Sequence, residues 1–452
     1  MPRMSVALFT RDLRVHDNPV LFEAASRGQV VPLFVVDDAA PRRFLRPNRA
    51  AFLADCLEEL DGQLRERGGR LVVRRGDVVD EVCSVAAEVD ADQVHLAVDV
   101  SGYAQARAEA LTEALRAEGR ELVMHRSSVN ALSPGEVTPQ DKDHFAVFTP
   151  HYRKWAQQPL RRPHGAPRSL DMPRIAAGEL PKAADLCPGD RSPYLPRGGE
   201  GPARERLAAW IRKVDRYAEG HDSLDGDATS RLSPYLHFGC LSPVDVIHRV
   251  GHGTEGAEAF IRQMAWRDFH HQVLGARPDA AHRDYRSRED RWREDPEALE
   301  AWKQGRTGYP IVDAGMRQLT SEGWMHNRAR LIVGSFLTKT LYLDWRHGAR
   351  HFMDLLVDAD VANNQLNWQW VAGTGTDTRP HRVLNPLTQA KRFDPGGDYV
   401  RRHVPELSSI EGAAVHEPWK LPDEVRDALN YPAPVVDLGE GLRRFREARG
   451  RD

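Results

Sequence analysis

Cysteine is scarce in this chain, and lysine is nearly so. Cys56, Cys83, Cys187 and Cys240 are the only four cysteines among 452 residues, they form no CxxC pair, and none follows position 240. That spacing points to a reducing compartment and excludes a disulfide framework and a cysteine-ligated iron–sulfur cluster in the second half. No other ligand spacing suggests a metal cluster. Long apolar runs are missing too: none approaches the ~20 residues of a membrane span. The opening MPRMSVALFTRD runs straight into what reads as a strand, without the apolar core of a leader. A cytoplasmic protein with no membrane partner is expected. The first 130 residues contain neither GxGxxG nor GxxxxGK[ST], so an ordinary dinucleotide or P-loop phosphate site has no support there. Nor is charge in excess: 63 Lys+Arg face 66 Asp+Glu, a net of −3. A polyanion would have to be held by a local patch and not by a global field. Only eight of the cations are Lys; beside much Ala and Gly, this follows GC-rich coding and carries little functional weight.

What is present is the length and balance of a folded enzyme. A chain of 452 residues exceeds what one hydrophobic core usually supports, and 41% hydrophobic against 29% charged residues excludes a disordered chain. Val6–Phe9, Val30–Val36, Leu71–Val73, Val94–Val98 and Leu122–Met124 are short apolar runs separated by amphipathic stretches. This βαβ rhythm predicts a doubly wound parallel sheet of five strands over residues 1–130, with a ligand crevice beyond the strand C-termini. From 131 to 201 the pattern dissolves into Pro, Gly and Arg, a long connector. From 202 to 452 helical periodicity dominates, as in Ala203–Tyr217, Ala257–Leu274, Gly315–Thr320 and Arg328–Leu343. The fold class is therefore α/β followed by all-α.

Tryptophan sharpens the division, since all ten lie at or after Trp155 and eight lie beyond residue 260. Charge divides too: residues 1–130 hold 17 cations and 21 acids, the rest 46 and 45. Within the helical part, His326–Arg330, the RPHR run ending at Arg382, Lys391-Arg392 and Arg401-Arg402 cluster near aromatic segments. Such a mixture grips phosphates and bases, although scattered solvated arginines give the same string.

Two segments carry denser chemistry. Thr229-Ser230-Arg231-Leu232-Ser233 places three hydroxyls and a cation before an apparent helix, which suits a diphosphate and equally suits simple helix capping. Asp358–Trp370 (DADVANNQLNWQW) sets two carboxylates two apart, an Asn pair and two Trp flanking a Gln. That run can serve a heterocycle, or it can be a polar loop capping a helix whose Trp are core.

With FTRDLR (Phe9–Arg14), VFTP (Val147–Pro150), TGYPIVDAGMRQL (Thr307–Leu319), EGWMHNRAR (Glu322–Arg330), SFLTKTLYLDWR (Ser335–Arg346) and ANNQLNWQWVAGTGTD (Ala362–Asp377), the chain resembles the photolyase/cryptochrome flavoproteins over essentially its whole length. The nearest group is the bacterial class I cyclobutane pyrimidine dimer photolyases. The resemblance implies an antenna domain, a connector, and a helical domain binding FAD and DNA. It places Tyr217, Thr229, Ser230, Arg231, Leu232 and Ser233 at the FAD phosphates and ribityl chain, Asp360 at the flavin imide, Asp358 with Arg330 beside the ring, and Asn364 at flavin N5. Trp368, Trp345 and Trp292 match an electron route from flavin to surface; each is also a plausible core side chain. Trp266 and Trp370 would pack on a flipped-out dimer, Asn327 would hydrogen-bond it, and Arg328 and Arg382 would hold DNA phosphates. Gln263 stands where the family commonly has Glu, and Leu331 where it has Met.

The implied activity is light-driven repair of UV-damaged DNA by a monomer. Reduced FAD gives an electron to the flipped dimer, the ring splits and the electron returns. Two alternatives are a cryptochrome-type blue-light receptor and a photolyase for (6-4) photoproducts; Asn364 argues against the first, and Asn327 in HNRAR against the second. Arg49 and Asp99 fall where deazaflavin-binding members place polar contacts, which favours an 8-hydroxydeazaflavin antenna over a folate.

Overall fold

The computed structural model describes residues 3–39, 44–226 and 228–450. The five apolar runs form β1 (Arg3–Leu8), β2 (Gly28–Asp37), β3 (Val72–Gly76), β4 (Gln93–Ala97) and β5 (Glu121–His125). All neighbours pair in parallel, in the order β3-β2-β1-β4-β5. The crossovers α1 (Pro19–Ser26), α2 (Pro47–Arg65), α3 (Val78–Glu88) and α4 (Gly102–Ala117) pack on the sheet. Burial on both faces explains why β1 and β2 read as almost unbroken apolar rows. Side-chain caps start three of these helices: Asn18 accepts from Leu21 N, Asp77 from Val79 N, and Ser101 from Ala104 N. In this order the topological switch lies between β1 and β4, so the crevice forms where Thr10–Arg11 and Asp99 leave those strands.

The connector is largely irregular but contains α5 (Phe148–Trp155) and the single turn α6 (Ala183–Leu186). The helices that follow are α7 (Glu200–Ile211), α8 (Tyr217–Gly220), α9 (Ser233–His237), α10 (Pro243–Val250) and the long α11 (Glu255–Ala276). Then come α12 (Pro296–Lys303), α13 (Pro310–Glu322), α14 (Asn327–Ser335), α15 (Trp345–Leu355) and α16 (Val361–Ala372). Two expected helices are broken. Ala203–Tyr217 divides into α7, a 3₁₀ turn (Val214–Arg216) and α8, because the Val214 and Asp215 carbonyls press on α11 where Gly256 leaves no room for a Cβ. Arg328–Leu343 ends early: α14 passes into a π-helical turn (Phe336–Thr340), and Tyr342 turns the chain with φ of 57°. In that turn Lys339 is buried and donates to the carbonyls of Pro380 and Arg382 at 3.0 and 2.6 Å.

The two halves share a core. Phe52 of α2 packs on Tyr235 and Phe238 with ring centroids 5.4 and 4.9 Å apart. Gly239 has φ of 69°, and a Cβ there would lie 1.9 Å from the Arg11 carbonyl, so only glycine permits this approach. Two buried arginines tie the halves by backbone carbonyls. Arg14 donates to Gly239 O at 2.9 Å. Arg49 donates to Phe44 O, Met353 O and Leu356 O, each at 2.6 Å. Arg49→Met should strand the carbonyls at the end of α15 and lower stability by about 2–4 kcal/mol, read as a lower urea midpoint; an unchanged midpoint would show that these bonds contribute nothing net.

Candidate functional site

One stripe of α11 builds the first wall. Gln263, Trp266, Arg267 and His270 recur at helical spacing and all line a cavity of about 450 Å³. Facing them are Asn327, Arg328, Arg330 and Leu331 from the start of α14, Tyr217 of α8, the Thr229–Ser233 loop, and Asp358, Asp360 and Trp370 around α16. Segments more than 150 residues apart in sequence thus meet in one place, as the site assignment requires. An adjoining recess of about 70 Å³ shares Asn327, Arg330 and Asp358 with the cavity and adds Asn364, Phe352 and Trp368. Asn364 belongs to this recess alone, its Nδ2 donating to Ala349 O at 3.0 Å.

Thr229–Ser233 is not a capping segment, since α9 starts at Ser233 with Leu232 at the N-cap and no side-chain cap. The loop is instead locked from outside. Arg231, at φ of 51°, donates to Glu322 at 2.6 Å and lies 4.4 Å from the centre of the Trp324 ring, whose Nε1 donates to Ser233 Oγ at 3.1 Å. Among the described residues, Thr229 Oγ1 is left buried and without a hydrogen-bond partner. A buried hydroxyl with no partner is costly unless a ligand supplies one.

The two carboxylates of the acidic segment are placed differently. Asp358 pairs with Arg330 at 2.8 Å on the cavity wall. Asp360 caps α16, its Oδ1 accepting from Asn363 N and Nδ2 at 2.8 Å each and facing His271 Nε2 at 3.2 Å. Its Oδ2 accepts from Arg11. Four donors therefore address a carboxylate with about four acceptor positions, so Asp360 has little capacity left for an imide. Burial alone would raise the Asp360 pKa, but His271 and Arg11 hold it well below the carboxylate range. Arg11 donates to Asp99 as well, at 3.1 Å. Despite its burial, these two carboxylates raise its pKa above the ordinary arginine value. Sequence reasoning quoted Arg11 only within FTRDLR; its place at the β1–β4 switch was the signal that could have found it.

The remaining assigned residues scatter around the cavity. Trp266 stacks on Phe148 of α5 with centroids 3.7 Å apart and planes 6° apart, which leaves one face for a ligand. Trp370 lies 5.1 Å beneath the guanidinium of exposed Arg382. Arg328 is ion-paired with Asp222 at 2.6 Å and covers Phe393, so its charge is already balanced, which sequence spacing could not reveal. Trp368 packs on Phe352 and on Trp302. It also fills the space beside Gly348 of α15, where a Cβ would lie 2.2 Å from its ring. Trp345 is fully buried with Nε1 donating to Asp284 at 2.9 Å, and Trp292 is half-buried against Tyr342.

A second cavity, of about 190 Å³, opens at the C-terminal ends of the strands between Phe9, Phe34, Phe44, Tyr103 and Phe238. Arg49 and Asp99 both border it, yet neither is aimed at it as a spare polar group. Arg49 is committed to the three carbonyls above and Asp99 to Arg11; burial brings the Arg49 pKa down to about 10. His237 lines both cavities and forms the partition between them together with Arg11.

Residues 5–169 match the family described as DNA photolyase, and residues 260–450 match the FAD binding domain of DNA photolyase. A deoxyribodipyrimidine photo-lyase of Streptomyces griseus is 59% identical, over 99% of this chain and 100% of that protein. A bacterial class III photolyase from Agrobacterium tumefaciens has a similar structure, with TM-score 0.92 at 34% identity over 100% of this chain and 97% of that one. The cryptochrome of Synechocystis follows with TM-score 0.90 at 28% identity over 99% of each chain.

Arg11→Met should leave two buried carboxylates without their cation and destabilise the protein by about 3–5 kcal/mol. Asp99 and Asp360 are buried, which raises a carboxylate, but their partners depress both in the fold. The stability they lend is thus complete above the unfolded value of about 3.9 and is lost as pH falls through the folded values. Denaturant titrations should show the deficit of the variant largest near neutral pH and shrinking toward pH 3; a deficit that does not change with pH would refute the assigned ion pairs.

Proposed function

The chain belongs to the DNA photolyase family, and on that premise we propose that it repairs cyclobutane pyrimidine dimers in DNA with light, an electron passing from reduced FAD to a dimer turned out of the helix. One observation carries this reading: a single cavity joins two unlike walls. Thr229–Ser233 and Asp358 with Arg330 suit a diphosphate and a polar ring system, while Gln263, Trp266, Asn327 and Trp370 offer exposed amides and half-buried aromatic faces. A cofactor alone needs only the first wall; the second implies a flat, hydrogen-bonding guest that enters from outside.

The residues fit FAD. The orphaned Thr229 Oγ1 and the neighbouring serine hydroxyls would donate to phosphate oxygens, and the Asp358–Arg330 pair would flank the ring without adding net charge. Asn364 would present its neutral amide toward flavin N5 from the recess, hydrogen-bonding it without being a ready proton source. Reduced FAD, when bound, supplies the electron and takes it back once the cyclobutane ring has opened. The chain's own part is to hold the guest dry, flat and close. Trp266, backed by Phe148, and Trp370 would sandwich the dimer, and Gln263 and Asn327 would pair with its carbonyls and imide groups. Trp368 beside the recess and Trp345 are both buried while Trp292 is half-buried, so Trp292 would be the surface end of a route for electrons.

For the second cavity we infer a planar antenna chromophore, 8-hydroxydeazaflavin in preference to a folate. The support is the aromatic lining at the strand ends and the single shared partition, His237 with Arg11, which would keep antenna and flavin close. The reading includes UV-damaged DNA as substrate and a monomeric enzyme. A cryptochrome shares this fold, so the decision is chemical. Blue light on the reduced holoprotein with defined oligonucleotides should split cyclobutane dimers back to pyrimidines and leave (6-4) products untouched; repair of neither lesion overturns the reading in favour of a receptor, and repair of only the (6-4) product overturns the lesion assignment.

The logarithm of the DNA binding constant should fall linearly with log salt, and Arg382→Ala should reduce the slope by about one phosphate. Arg382 is exposed and makes no ion pair among the described residues, unlike Arg328. Arg328→Ala should therefore change the slope less than Arg382→Ala does; an unchanged slope for Arg382→Ala removes that residue from the backbone contacts.

A further inference from the structure

His270 sits on the same stripe of α11 as Gln263 and Trp266, one turn beyond the tryptophan, with ring centroids 5.6 Å apart. It is 2% exposed and lines the cavity. Its tautomer follows from its neighbours. Nδ1 lies 3.1 Å from Asn363 Oδ1. The Asn363 amide is oriented from its other end, where Nδ2 donates to Asp360 Oδ1 at 2.8 Å. A carboxylate held ionised accepts only, so the amide oxygen is the atom that faces the imidazole. Nδ1 therefore carries the proton and Nε2 the lone pair. Burial lowers the His270 pKa to about 4, so the ring stays neutral at ordinary pH. Nε2 is itself buried and has no hydrogen-bond partner among the described residues. A bare acceptor in the wall of a binding cavity, with its tautomer fixed by a three-residue relay from Asp360, is costly to maintain unless a guest satisfies it.

We propose that His270 is a specificity residue whose Nε2 accepts a hydrogen bond from an amine or imide N–H of a heterocycle bound in this cavity. The identity of the heterocycle rests on the repair reading, which supplies two sources of that donor: FAD, through its adenine amine, or the flipped dimer, through an imide N–H. Either way the relay discriminates. A guest edge that offers only carbonyl oxygens meets a lone pair and is disfavoured, whereas one with a donor completes the chain of bonds from Asp360 through Asn363 to the ligand.

The test uses holoprotein in wild-type form and as His270→Phe, which keeps a ring and loses the acceptor, and His270→Gln, whose amide can both donate to Asn363 and accept from a guest. Two quantities are read: FAD retained on serial dilution, and affinity for duplexes with and without a cyclobutane dimer. If the donor belongs to the cofactor, His270→Phe releases FAD about 2- to 10-fold more readily, and Gln restores retention. If it belongs to the lesion, FAD retention is unchanged, discrimination for the dimer falls by a similar factor, and Gln restores it. Unchanged retention and discrimination in His270→Phe overturn the proposal, and so does a loss that Gln fails to rescue. The wild-type repair assay separates this from the functional reading: a protein that retains FAD through His270 yet repairs no dimer refutes the repair assignment and leaves the hydrogen bond standing.

Discussion

Arg11 is the point on which the arrangement turns. It leaves the sheet at the β1–β4 switch and donates to Asp99 on its own side and to Asp360 across the boundary. Three charges share this small, largely buried volume, which is tolerable only because each cation–carboxylate contact is a hydrogen bond and the remaining acceptor positions of Asp360 are filled by Asn363 and His271. Remove the arginine and two buried carboxylates repel. The pair therefore fixes where α16 begins, because Asp360 is its N-cap, and with α16 it fixes Asn363, Asn364, Trp368 and Trp370.

The same junction organises both cavities. Arg11 and His237 separate the strand-end crevice from the main cavity by a single layer of side chains, so two ligands placed on either side would be near neighbours without touching. Gly239 makes this proximity sterically possible, and Arg14 and Arg49 hold it by bonding backbone carbonyls across the boundary. Arginine suits this task better than lysine: its planar, always charged fork serves several carbonyls at once. Three arginines, two of them buried, bridge the halves in a chain with only eight lysines, which gives structural meaning to part of a composition bias that codon usage seemed to explain.

The main cavity owes its two-sided character to helix geometry. Along α11 a spacing of three and four residues puts an amide, an indole, a guanidinium and an imidazole on one face, and α14 sets Asn327 and Arg330 opposite. The connector contributes more than its Pro, Gly and Arg content suggests. Its helix α5 supplies the Phe148 ring that backs Trp266, and Trp155, whose Nε1 donates to Asp268 of α11 at 3.0 Å. The connector thereby braces the helix that forms one wall of the cavity.

The sequence by itself determined the architecture, because local patterns encode it. Buried parallel strands must be apolar on both faces, helices must carry a stripe, and five such runs with crossovers leave few topologies. It also singled out DADVANN, TSRLS, GWMHNRAR and the WRDF stretch, which all contribute residues to the lining of one cavity. What it could not determine is how shared capacity is divided once those segments meet. A carboxylate has a limited number of lone pairs and an arginine a limited number of donors, and the partners that use them come from distant parts of the chain. Asp360 therefore reads as a free acceptor but is nearly saturated by Arg11, His271 and Asn363, and Arg328 reads as a free cation but is balanced by Asp222. Arg49 reads as a ligand contact but is spent on carbonyls of α15. His270 reads as one more helix-face residue, and only the tertiary relay from Asp360 through Asn363 decides which of its nitrogens faces the cavity bare. Hydrogen bonding is directional and saturable, so assignments that rest on residue type survive folding while those that rest on availability are settled by the contacts the fold brings together.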